Sequence, residues 1–438
     1  MRADPGPVVS RVVLKRGREG RLRAGHLWVY RGEVASIEGV AEAGPGPGDV
    51  VDVLDARRNF IGRGFISPTS NILVRILTRD PAEVIDEAFF RRRVERAVAY
   101  RRSIAPGVEA CRMVFGEADL LPGLIVDKYG DLVVLQTLTC GMDARKDVIV
   151  EIVRGLLEPK WIYERNDAAS RSLEGLPPRC GFLAGPGRRD EGRDKDTTGG
   201  QGMDGRGAGG QDVRSGPAGI PRGTLFEIGE NGLRFLIDVG MGQKTGSFLD
   251  QRENHAAIKP WCPGARVLDA FSYTGGFAIH AAAYGAAEVV GIDISEAAVE
   301  MARRNAELNG VGDRCTFVVA NAFDELRRYE VAGESFDMVI LDPPAFAKNK
   351  RAVEGAFRGY KEINLRAIKL LREGGVLVSC SCSYHMTEDL FMTMIYEAAA
   401  DVGRQLRVVE MRTQAKDHPV LLAVPETRYL KCAILQVL

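Results

Sequence analysis

From residue 266 onward the chain alternates between short, nearly continuous apolar runs and segments of helical period, and this constrains the fold more than any other feature. RVLDAF precedes FAIHAAAYG, EVVGID precedes EAAVEMARRNAELNG, CTFVVAN and FDMVILD follow, an amphipathic stretch spans roughly 359–373, and GGVLVSCS closes the series. Strands this apolar have no wet face, so helices crossing over between them must cover both sides. The expected fold class is α/β, a mainly parallel doubly wound sheet. Ligands of such sheets sit beyond the carboxyl ends of the strands, so the residues ending each strand are the first candidates for a site.

The first strand, VLDAF, carries Asp269 and Phe271 and runs directly into Ser272, Tyr273, Thr274, Gly275 and Gly276, after which a helix follows. A glycine-bearing turn there lets a cofactor approach the backbone. The second strand ends at Asp293, beside Ile294, where a carboxylate can take a ribose diol. The third ends at Ala320-Asn321-Ala322-Phe323, an amide and an aromatic suited to an adenine. These features serve NAD and S-adenosylmethionine equally. The fourth strand decides between them, because Asp342-Pro343-Pro344 makes a rigid, carbonyl-rich edge of the kind found in methyltransferases acting on bases. The fifth ends in Ser379-Cys380-Ser381-Cys382-Ser383-Tyr384-His385. C5 of a pyrimidine is a poor nucleophile, but a thiolate adding at C6 converts the ring to an enamine whose C5 can attack a methyl sulfonium. A buried strand position suits Cys380 better than Cys382, so Cys382 is the candidate thiol.

Upstream, residues 9–77 carry short alternating runs broken by Gly, Pro and Asn, the pattern of a small β-barrel. Residues 1–31 hold eight Lys/Arg against two acids, with His26, Trp28 and Tyr30 interleaved. That mixture suits RNA phosphates and bases, and it equally suits a charged strand with its aromatics in the core. Residues 81–104 have helical periodicity with six Arg between 91 and 102, followed by a hairpin turning at Lys128–Asp131, a helix, and the strand and loop WIYERNDAASRSLEGLP. Residues 184–222 hold 12 Gly among 39 residues, mixed charges and almost no large apolar group, so they read as a flexible linker or insertion. The expected organisation is a PUA-like RNA-binding domain over 1–78, an α+β central domain over 79–183, this linker over 184–222, and the α/β domain over 223–438.

Charge excludes little: 59 Lys+Arg cancel 59 Asp+Glu, so any basic surface is local. No stretch reaches 18 uncharged apolar residues, and the first twenty lack the apolar core of a signal peptide, which leads to the expectation of a cytoplasmic protein without membrane contact. The eight Cys show no zinc spacing, and no metal is expected.

The stretches ENGLRFLIDVGMGQKTGSFLDQREN, VLDAFSYTGGFAIHAAAYGAAEVVGIDIS, DMVILDPPAFAKNK and SCSCSYHM resemble the bacterial large-subunit ribosomal RNA methyltransferase I family, which makes 5-methylcytosine in 23S rRNA. FGEADLLPGLIVDKYGD and YERNDAASRSLEGL resemble its central domain, and the N-terminal β module its PUA domain. The resemblance implies Cys382 as nucleophile, Asp342 as the acid on the base's polar edge, and Lys348 near the substrate. It implies an S-adenosylmethionine pocket of Lys244, Thr245, Gln251, Arg252, Asp269 to Gly276, Asp293, Ile294, Asn321, Ala322 and Asp342. The implied partner is 23S ribosomal RNA, and an exposed face of the central domain would allow a homodimer. Two other functions fit less well: methylation of an exocyclic amino group, and a noncatalytic RNA-binding or ribosome-assembly factor.

Overall fold

A computed structural model describes residues 10–39, 44–185, 224–347 and 352–438. The alternation after 266 becomes seven strands: β1 (Arg266–Ala270), β2 (Glu288–Asp293), β3 (Cys315–Val319), β4 (Phe336–Leu341), β5 (Leu371–Ser381), β6 (Leu406–Arg412) and β7 (Lys431–Val437). They lie in the order β3-β2-β1-β4-β5-β7-β6. The first five are parallel, and β7 enters antiparallel between β5 and β6. The order reverses direction between β1 and β4, which makes their carboxyl ends the switch point where a ligand is expected. Helices Gly276–Ala283, Glu296–Leu308, Ala322–Ala332, Val353–Leu370 and Glu388–Asp401 connect the strands. The stretch read from sequence at roughly 359–373 starts earlier and ends earlier, at Val353 and Leu370. Apolar periodicity marked its buried half but not its half-exposed first turn.

In front of this sheet, Leu225–Glu230 and Leu233–Asp238 form a hairpin. Asn231 and Gly232 turn it with φ of 51° and 83°, as an Asn-Gly pair in a tight hairpin turn requires. Residues 110–184 build a five-stranded sheet behind the helix Glu87–Ile104. The N-terminal module is a six-stranded mixed sheet around a core that includes Val12, Leu14, Val29, Val53 and Ile76.

The boundaries read from sequence are not boundaries of packing. One apolar core joins Tyr129, Val134 and Tyr163 of the central sheet to Ile228, Phe235 and Phe277 beyond the Gly-rich stretch. Val424, far along the chain, is buried in the N-terminal core. The basic, aromatic N-terminal segment serves the same junctions: His26 is buried and meets Glu426 at 3.2 Å, and the Trp28 indole N–H donates to Glu117 at 2.9 Å. Arg101 of the basic helix is also buried, donating to the Asp417 carbonyl at 2.9 Å.

The tightest junction is a buried network. Arg112 makes a two-pronged pair with Asp127, both contacts 2.7 Å, and Asp127 also accepts from the Thr245 hydroxyl at 2.6 Å. Arg252 donates to the Ala110 carbonyl at 2.9 Å and to Asp417 at 3.0 Å. Removing one member of such a pair leaves a bare buried charge, so Arg112→Ala is expected to lower unfolding stability by about 3–5 kcal/mol in denaturant titration.

Candidate active site

The loop after β1 is wound against ordinary preference. Phe271, Tyr273 and Gly275 have φ of 69°, 49° and 87°, and only glycine takes the last without strain. The loop is pinned from the neighbouring strand: Ser272 N–H donates to the Ile292 carbonyl at 2.8 Å and Tyr273 N–H to Asp293 Oδ2 at 2.9 Å. Asp293 Oδ1 accepts from Ser295 N–H at 2.9 Å. Each oxygen keeps a lone pair free for a diol. Beneath the loop, a Cβ at Gly276 would lie 2.8 Å from Cε1 of the His255 ring. That ring is buried and tied to Glu230 at 2.6 Å, so it has nowhere to retreat. Gly276→Ala is therefore expected to cost about 1–3 kcal/mol in the loop, read by titration calorimetry as about tenfold weaker cofactor affinity.

Glu230, His255 and His280 converge here, the one group among the described residues with metal-ligand geometry. His280 is already satisfied on both nitrogens, by the Gly276 carbonyl at 2.7 Å and Asn231 Nδ2 at 3.1 Å. The cluster supports the loop.

A second segment, 238–252, lies over the same end of the sheet. The Tyr273 hydroxyl accepts from Gln243 N–H at 2.8 Å. Arg165 of the central domain clamps this segment, donating to the Val239 and Gly242 carbonyls, each at 2.7 Å. Lys244 reaches Asp250 at 2.6 Å and lies over the Phe248 ring. Gln251 donates to Asp342 Oδ2 at 2.9 Å, and its own oxygen takes Asn254 Nδ2 at 2.6 Å. The side chains of Thr245 and Arg252, expected in the cofactor pocket, are instead committed to the junction with the central domain. Asn321, expected at an adenine, caps the helix Ala322–Ala332 by accepting from Phe323 N–H at 2.9 Å. Phe323 stands between Phe271 and Phe346, with ring centroids at 6.2 and 5.9 Å. An open cavity of about 500 Å³ flanks this wall, lined by Phe323, Phe346, Arg358 and Gly359. It excludes Asp342 and Cys382.

Acids dominate the site's electrostatics. Burial raises the Asp269 carboxyl well above its usual range, and Asp342 nearby raises it further. Asp342 is itself pushed up to about 6, by burial first and then by Asp250. Burial opposes ionisation of Asp250 too, but Lys244 and His418 outweigh it and hold that carboxyl below the usual range. Asp269 Oδ1, Asp250 Oδ1 and the Ser272 hydroxyl are buried without a hydrogen-bond partner among the described residues. Carboxylates with unused oxygens around a glycine turn call for a positively charged ligand. They would repel the pyrophosphate of a dinucleotide. A molecule with an amino group, a sulfonium and a ribose fits them, and S-adenosylmethionine has all three.

Cys382 is the first residue beyond β5, half-buried, while Cys380 is wholly in the core. The serines of the same run build the turn. Tyr360 OH lies 3.1 Å from both Ser381 and Ser383 Oγ, and Ala347 N–H donates to Ser383 Oγ at 3.2 Å. The Asp-Pro-Pro edge and the cysteine turn are thus one bonded unit. Burial pushes the Cys382 thiol up to about 11, with Asp342 and Asp250 adding to it and Lys244 opposing. Lys348 lies outside the described residues.

Two family models match this chain: an S-adenosylmethionine-dependent methyltransferase over residues 217–427 and a PUA-like domain over 12–79. Proteins named ribosomal RNA large subunit methyltransferase I, from Shigella boydii and Escherichia coli, are 39% identical over 424 residues, covering 96% of this chain and 98% of theirs. The chain belongs to the ribosomal RNA large subunit methyltransferase I family. Its fold is also that of a Streptococcus mutans chain described as a candidate S-adenosylmethionine-dependent methyltransferase, with TM-score 0.75, 18% identity, and 97% of this chain covering 99% of that one. A methyltransferase solved in complex with SAH matches with TM-score 0.77 at 19% identity, over 97% of this chain and 99% of that one. The methyltransferase match therefore takes in the hairpin and the strands β1 to β6, S-adenosylmethionine is the cofactor, and the PUA-like match falls on the N-terminal sheet. No helix among the described residues is long and apolar enough to cross a membrane.

Sequence reading missed Asp250, Tyr360, Arg165 and Lys431. Asp250 and Arg165 stood inside quoted stretches, FLDQREN and YERND, without a role. Lys431 carried a visible mark, as the single charge opening the apolar run CAILQV.

Proposed function

We propose that this family member forms 5-methylcytosine in 23S ribosomal RNA through a covalent adduct between Cys382 and C6 of the target cytosine. The observation that carries the reading is that the half-buried Cys382, just past β5, lies within electrostatic reach of Asp342, whose carboxyl accepts from Gln251. Curated relatives named for ribosomal RNA support the substrate class. Asp269, Ser272, Asp293 and the turn to Gly276 would hold S-adenosylmethionine, which supplies an electrophilic methyl group to C5.

The chain's residues supply the rest. A proton moves from the Cys382 thiol towards Asp342, and the sulfur lone pair forms the C6–S bond while ring electrons shift towards N3. Asp342, whose raised pKa lets it hold that proton, passes it to N3 and stabilises the charge developing there. Once C5 is methylated, its proton passes to a base, the electrons of that C–H bond form C5=C6 as the C6–S bond breaks, and N3 returns its proton to Asp342, leaving the thiolate and a neutral aromatic ring. The cytosine must be unstacked to enter, and Lys348 is proposed to meet the RNA near this point.

Labelled cofactor, deproteinised 23S rRNA and nucleoside mass spectrometry test the reading. It expects 5-methylcytidine. N4-methylcytidine would establish exocyclic chemistry instead, and tight binding without turnover would establish a noncatalytic factor.

A further inference from the structure

Lys431 opens β7 and pairs across the sheet with Ser381, the residue before Cys382. Its side chain is 5% exposed, and its amine donates to the Ser383 carbonyl at 2.7 Å and the Tyr429 carbonyl at 2.8 Å. Among the described residues it has no ion-pair partner. A buried ammonium held only by carbonyls is costly, and a structural tie between two strands does not require the charge.

The groups facing Cys382 say where that charge is used. Asp342 at the end of β4 and Asp250 before helix Arg252–Ala257 present negative charge to the sulfur. Tyr360 from helix Val353–Leu370 and Tyr429 ahead of β7 also lie within its electrostatic reach. Two cations oppose the acids. Lys244 is one, acting on the sulfur while also joined to Asp250 at 2.6 Å. Lys431 is the other, with Arg428 and Glu388 as charged neighbours that act on it in opposite directions. Burial lowers the Lys431 amine to about 8, and Cys382 acts on it in the opposite direction.

Resting on the reading of Cys382 as nucleophile, we propose that Lys431 is its positioning residue: anchored on the Ser383 carbonyl, its ammonium stabilises the Cys382 thiolate and holds the turn that aims it. Lys431 touches neither base nor cofactor in this role. It acts through the sulfur.

The test uses the full-length protein and reads ionisation apart from turnover. Iodoacetamide alkylation of Cys382, followed on its own peptide by mass spectrometry from pH 6 to 10, is compared among wild type, Lys431→Met and Lys431→Arg. Loss of the charge is expected to slow alkylation at pH 8 about tenfold and displace the profile to higher pH, while Lys431→Arg stays within about threefold of wild type. Cofactor affinity, measured by calorimetry, is expected to be unchanged. If Lys431→Met does not fold, Lys431→Gln keeps a donor, drops the charge and carries the same comparison. A wild-type profile in the uncharged variant overturns the proposal. Absence of a wild-type adduct on 5-fluorocytosine RNA overturns the reading of Cys382 instead, and leaves the alkylation result to judge the lysine and thiol by themselves.

Discussion

Replacing Cys382 with alanine is expected to lower methyl transfer by at least about 10³-fold, because a covalent nucleophile and the steps it permits act as a unit. Cofactor binding should survive, since the loop from Phe271 to Gly276 is held by β2 and His255, and not by the cysteine turn. Stability should change by less than about 1 kcal/mol, because Cys382 is half-buried and the turn is tied through Ser381, Ser383 and Tyr360. Single-turnover assays with labelled S-adenosylmethionine, beside calorimetric titration of the cofactor, separate these effects. The buried neighbour provides the control: Cys380→Ala should retain most activity, because that side chain lies in the core against Cys432.

Asp342→Asn is expected to cost about 10²–10⁴-fold at pH 7, the range for loss of a positioned acid. The pH profile is the sharper measurement. In the wild type the protonated fraction of Asp342 falls tenfold per pH unit above about 6, while the Cys382 thiolate fraction rises tenfold per unit up to about 11. The two slopes cancel, so the single-turnover rate should be nearly flat from pH 7 to 9. The asparagine cannot titrate, so its rate should climb with pH across that interval as the thiolate fraction alone changes. A wild-type rate that climbs in the same way would show that Asp342 donates no proton.

The parallel, doubly wound class of the sheet and the ends of its strands were legible because a buried parallel strand has few alternatives to a continuous apolar run, and a ligand site must follow it. Asp293, Asp342 and Cys382 were singled out by their position at strand ends, and Asp269 by the resemblance. What sequence could not supply was the partner of each polar group. The resemblance implied Thr245 and Arg252 as pocket residues, yet Asp127, Ala110 and Asp417, far away in the chain, claim their side chains. Likewise the segment holding His26 and Trp28 read equally as an RNA-facing group or as a charged strand with its aromatics in the core, and contacts with Glu426 and Glu117 tie those two inward, as the Asp417 carbonyl does Arg101 of the basic helix. Those contacts span from 89 to 400 residues, and no local period encodes them. The site is thereby a joint product: Arg165 and Asp127 of the central domain hold the segment that covers Tyr273 and presents Gln251 to Asp342.

The covalent step is tested most directly by incubating the protein with S-adenosylmethionine and a 23S rRNA fragment carrying 5-fluorocytosine. Fluorine cannot leave C5 as a proton does, so the adduct persists. The mechanism predicts a denaturant-stable protein–RNA species whose cross-linked peptide contains Cys382, absent from Cys382→Ala. Formation of 5-methylcytidine on ordinary RNA with no such species, or an equal yield of it from Cys382→Ala, would contradict it.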